Sequence, residues 1–112
     1  MEEVTEKWIT RIRAMAPKLA KAESDVFVAD ADLKRLLAQK KLKATSEGCR
    51  TVSAQDVYAE NTQEVYSARL EIAKTKGVLM GLKVQLKSLE VGFEEWRTQM
   101  VNSREERKRY GA

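Results

Sequence analysis

The sequence predicts an all-α fold: a long antiparallel helical hairpin of coiled-coil type. Three observations carry this. In the first half, Trp8, Ile12, Met15, Leu19, Ala22, Val26, Ala29, Leu33 and Leu36 follow alternating steps of four and three. In the second half, Val65, Ala68, Ile72, Thr75, Leu79, Leu82, Leu86, Leu89, Phe93, Trp96 and Met100 do the same. Such spacing keeps one apolar seam facing a partner helix over many turns. Both patterns break near Gly48, where the chain can fold back, and no period-two alternation marks a strand.

The elements follow in order. A first helix is expected over residues 4–45. Pro17 lies inside its pattern and removes one backbone hydrogen bond, so a kink near Ala16, or a short first helix followed by a longer one, is expected. Gly48 suits a left-handed helix cap. The connection spans 46–61 and holds a short helix from Ala54 to Glu60, with Ser53 and Asp56 as a capping box. Asn61 and Glu64 repeat that signal before the longest helix, 62–108. Tyr110, Gly111 and Ala112 should fray. All 112 residues then make a single helical-hairpin domain.

The seams can be matched by setting Leu36 against Ile72. That places Ala29 near Leu79, Ala22 near Leu86 and Met15 near Phe93, with small residues facing large ones. Glu23 then falls near Lys83 and Asp30 near Lys76. Leu33, Leu36, Ile72, Leu79, Leu82, Leu86 and Phe93 should be buried. A second set, Gly77, Gly81, Ser88 and Gly92, lies away from the seam. Each glycine costs about 1 kcal/mol relative to alanine inside a helix. Close approach of another backbone would account for them, which makes this set a candidate interface of a homo-oligomer. A tolerated, solvated face is the alternative.

Composition narrows the chemistry. The chain has no histidine and one cysteine, Cys49, so it lacks Ser-His and Cys-His nucleophile pairs and the usual zinc ligand set. No enzymatic role, cofactor or metal is expected. Asp25, Asp30 and Asp32 read as charge complements of the second helix rather than as metal ligands. The lone cysteine implies no disulfide framework, and no stretch approaches the roughly 20 apolar residues of a transmembrane helix. The acidic start, MEEVTEKW, lacks the features of a signal peptide. A soluble cytoplasmic protein without a membrane partner is the expectation.

Basic clustering is the main functional signal in a chain of net charge +4. Between positions 33 and 50, Lys34, Arg35, Lys40, Lys41, Lys43 and Arg50 stand against Glu47 alone, a local charge of +5. Arg69 and Lys74 should fold back beside them. Such groups neutralise phosphates and release counterions. Tyr58 and Tyr66 flank the connection and are candidates for stacking on unpaired bases, with Tyr66 the one to substitute as the sharper test. A second basic cluster, Arg104, Arg107, Lys108 and Arg109, ends the chain. The plain alternative is a solvated basic face with tyrosines packing the hairpin tip.

One resemblance adds to this reading. The run Gly48-Cys49-Arg50-Thr51-Val52-Ser53-Ala54-Gln55, then Tyr58-Ala59, Tyr66, Ala73-Lys74-Thr75-Lys76-Gly77, and finally Phe93-Glu94-Glu95-Trp96-Arg97-Thr98-Gln99 with Asn102-Ser103-Arg104, resembles UvsY-type phage recombination mediators. It covers roughly residues 48–104 through short, mostly structural motifs. The entry to the last helix, Glu60-Asn61-Thr62-Gln63, departs from the usual acidic or proline-containing form. The resemblance implies a small, oligomeric, phage- or prophage-encoded protein acting in a bacterial host. It would bind single-stranded DNA and help load a recombinase onto DNA coated by single-strand-binding protein. It places Lys40, Lys41, Lys43 and Arg50 in the DNA-contacting region. Two other classes fit a basic helical hairpin: a structural or adaptor coiled coil, and a small phage inhibitor of a host enzyme.

Overall fold

The computed structural model describes residues 2–110 and is all-α. Helix α1 spans Glu2–Ser46, α2 Val52–Glu60 and α3 Gln63–Tyr110. No strand occurs among the described residues. The helical hairpin expected from the heptads is the observed fold class. Tyr110 closes α3, while Gly111 and Ala112 lie outside the described residues. The chain forms two compact units, Ala20–Met80 and the residues before and after it.

Helix α1 is continuous through Pro17, so a separate short first helix is not adopted. It ends in a Schellman motif. Gly48 takes φ +95°, its N–H donates to the Thr45 carbonyl at 3.2 Å, and the Cys49 N–H donates to the Ala44 carbonyl at 3.0 Å. Both bonds satisfy carbonyls that the helix end would otherwise orphan.

The caps of α2 and α3 differ from expectation by one or two residues. Thr51, not Ser53, caps α2: its extended backbone (φ −98°, ψ 154°) lets its hydroxyl accept from the Ala54 N–H at 3.1 Å. Ser53 is already helical, and the Asp56 carboxylate pairs with Lys41 instead of reaching back. Asn61 closes α2, donating from its N–H to the Val57 carbonyl at 3.1 Å. Thr62 then starts α3. Its hydroxyl donates to the Ala59 carbonyl at 2.8 Å and accepts, at a longer 3.4 Å, from the Val65 N–H.

In the unit Ala20–Met80, the buried residues are Ala22, Ala29, Leu33 and Ala44 from α1, Ala59 from α2 and Val65 from α3. Ala44, Ala59 and Val65 are wholly enclosed, one from each helix. Leu36, Ile72 and Leu79 keep their seam positions but are only half-buried, contrary to expectation. A seam residue between two helices has one neighbour to cover it, and the long side chains overhang. Asp30 pairs with Lys34 one turn on, at 3.0 Å, rather than with Lys76.

In the other unit Met15 is buried, whereas Leu82, Leu86 and Phe93 are half-buried. The aromatic residues set its packing. The Trp8 and Phe93 rings lie 6.2 Å apart, Phe93 stacks on Trp96 at the same separation, and the Arg97 guanidinium sits 5.7 Å from the Phe93 centroid. Phe93 thus meets Trp8, seven residues before the Met15 that seam matching set against it. A strict heptad repeats its apolar pattern after seven residues, so the pattern alone does not choose between these registers.

Gly92 belongs to this packing, which corrects its place in the candidate oligomer interface. A Cβ there would lie 2.9 Å from the Trp8 Cη2 and 3.2 Å from its Cζ3. The glycine makes room for an indole. We expect Gly92→Ala to lower Tm in the native sequence although alanine is the better helix former. In a Trp8→Leu background the same change should raise Tm by roughly 4 °C, from the ~1 kcal/mol of helix propensity no longer opposed. Thermal melts followed by circular dichroism check both signs.

Candidate nucleic-acid interface

The residues singled out for phosphate contact all fall in the unit Ala20–Met80, but the fold treats them in two ways. Lys40 and Lys41 sit on the last turns of α1, which face the acidic residues of α2 and the first turn of α3. Lys40, with a side chain 18 % exposed, pairs with Glu64 at 3.1 Å. Lys41 pairs with Asp56 at 3.1 Å. Arg69 forks onto Glu60: its Nε donates to Oε2 at 2.8 Å and its Nη2 to Oε1. Lys34 pairs with Asp30. Four of the expected phosphate contacts are therefore engaged within the chain, and three of those pairs tie one helix to another.

The electrostatics follow from these pairs. Hydrogen bonding to Arg69 holds the Glu60 carboxyl below the usual carboxylate range. The Lys40 ammonium, followed by the backbone N–H of Glu64 itself, does the same for Glu64. Arg69 is pushed up in turn by its bond to Glu60. The local charge of +5 read from residues 33–50 is largely cancelled in three dimensions. The unit Ala20–Met80 holds ten Lys and Arg against nine Asp and Glu, a net +1.

What remains is a smaller set. Arg35, Lys43, Arg50 and Lys74 are exposed and make no ion pair among the described residues, although Lys43 adds to the field that holds the Glu64 carboxyl down. Tyr66 is 56 % exposed, whereas Tyr58 is half-buried. Of the candidate oligomer residues, Gly77, Gly81 and Ser88 are exposed, and a Cβ at Gly77 or Gly81 would meet nothing within 4 Å. Sequence reasoning missed the ion pairs because Asp56, Glu60 and Glu64 are spread over two elements. The signal was present as acids recurring every four residues, from 56 to 64.

Among the described residues no group of three or more His, Cys, Asp or Glu is placed to hold a metal ion. No helix among them is long and apolar enough to cross a membrane. Comparison with protein-family models, with curated proteins and with solved structures finds no match to this chain.

The depressed carboxyls set a pH dependence. A group whose folded pKa lies below its unfolded value stabilises the fold above the unfolded pKa, about 4.3 for Glu, and loses that contribution as pH falls through the folded value. Tm should therefore drop as the pH is lowered below about 4. The double variant Glu60→Gln, Glu64→Gln should be less stable than the native chain at neutral pH and converge with it near pH 2. Melts across that range check the convergence.

Proposed function

We propose that the protein binds single-stranded nucleic acid without sequence preference, as an accessory protein of a phage-type recombination system that helps load a recombinase. The observation that carries this reading is the residual cation set. Arg35, Lys43, Arg50 and Lys74 remain exposed, with no ion pair among the described residues, in the unit that also presents Tyr66. Unpaired guanidinium and ammonium groups contact phosphates without first breaking an internal salt bridge. An exposed tyrosine offers a face to any base. The resemblance to UvsY-type mediators points the same way, and its partners, a recombinase and a single-strand-binding protein, come with it. The ion pairs narrow the contact set: Lys40, Lys41 and Arg69 hold the tip together and present the others.

The near-neutral balance of this unit favours a second reading, an adaptor coiled coil that binds protein alone. Titration of a fluorescent oligothymidine, repeated across salt concentrations, decides between them. Four phosphate contacts give a log–log salt slope of magnitude about 3, at about 0.7 per contact on a single strand. The variant Arg35→Gln, Lys43→Gln, Arg50→Gln, Lys74→Gln should abolish binding while keeping its helicity. Tyr66→Ala should cost ~1–3 kcal/mol for one stacked base. No binding of the native chain at low salt would leave the adaptor reading in its place.

A further inference from the structure

Each long helix of the unit Ala20–Met80 carries a second apolar face, turned away from the seam. On α1, Ala20, Ser24, Phe27, Val28 and Ala31 line a shallow groove with Glu23 at its edge. Phe27 is 69 % exposed there and Val28 56 %. On α3, Leu70, Ala73, Gly77 and Met80 follow steps of three and four along the exposed side, with Leu70 and Met80 more than half exposed. Neither face is explained by the hairpin itself, and the α3 face lies beside Lys74 of the residual cation set. Contiguous apolar surface on a small protein marks a contact with another molecule.

Charge identifies that molecule. Glu23 and Asp32 flank the α1 face, are exposed and make no ion pair among the described residues; Lys76 flanks the α3 face in the same condition. Between residues 20 and 32 there are four acids and one lysine; between 69 and 80 there are three basic residues and one glutamate. Shape agrees with charge. The α1 face presents a large ring, and the α3 face carries no side chain at Gly77, so a neighbour can approach its backbone closely.

We infer that the occupant of each face is a second copy of this chain. The acidic α1 face around Phe27 docks on the basic α3 face around Gly77 of its neighbour. The two faces are different surfaces, so the contact is heterologous. Each copy uses its α1 face on one neighbour and its α3 face on another, so the assembly grows head to tail. Electrostatic complementarity fixes which face meets which.

The test uses two single-face variants of the full chain. Phe27→Glu removes the ring and places a carboxylate in the contact; Gly77→Leu places a bulky side chain where the neighbour approaches the backbone. Both positions are exposed, so circular dichroism should show native helicity for each. By analytical ultracentrifugation at micromolar concentration the native chain should sediment as an oligomer, and each variant alone as a monomer. Mixed in equal amounts, the variants should give a one-to-one dimer that grows no further, since one intact face remains on each. Three outcomes overturn the inference: a native chain that stays monomeric, a variant that keeps the native mass, or a mixture that stays monomeric. Phe27→Glu changes no cation offered for nucleic acid and lies on another helix from Lys74, so single-strand binding by that variant reports on that reading separately.

Discussion

Everything in this chain depends on a seam one residue wide. A helix with a strict heptad offers a stripe of apolar side chains to one neighbour, and a hairpin supplies only that neighbour. Met15, Ala22, Ala29 and Leu33 of α1 are buried, while Leu79, Leu82, Leu86 and Leu89 of α3 are half-covered. The short alanines of α1 are enclosed, while these leucines of α3 stay partly exposed. Stability must then come from places where a third element closes the seam.

The tip is such a place. The Schellman turn at Gly48 and the Thr51 cap turn the chain so that α2 lies between the ends of the long helices, and Ala44, Ala59 and Val65 become wholly enclosed. Around them Lys40, Lys41 and Arg69 meet Glu64, Asp56 and Glu60. These are exposed or partly exposed pairs, and such pairs fix geometry more than they add energy. Their functional consequence is selection. Of a basic segment that looks uniform along the chain, some cations become internal struts and others stay available. At the other unit, Trp8, Phe93 and Trp96 do the closing, and Gly92 is the cavity for one of them.

The heptads made the fold class and the seam positions legible, because a period of 3.5 belongs to one architecture. Gly48 was legible as a helix stop, since a positive φ favours glycine. Register was not, as Trp8 meeting Phe93 shows, because heptads repeat. The cap moved from Ser53 to Thr51 because several hydroxyl residues in a row satisfy the same local rule. Gly92 looked like Gly77 and Gly81 along one helix, and only the partner helix distinguishes them. The cations at 40, 41 and 69 counted as free until the fold brought them acids from another helix. What a pattern along one helix cannot carry is the identity of whatever lies across from it.

Arginine side-chain signals read the division among the tip cations directly. In a heteronuclear NMR titration with an oligothymidine, the Nε–H resonances of Arg35 and Arg50 should shift with the added strand. The Arg69 Nε–H should stay where its bond to Glu60 holds it. An Arg69 signal that moves with the others, or an Arg35 and Arg50 pair that does not respond while the strand binds, would contradict the account.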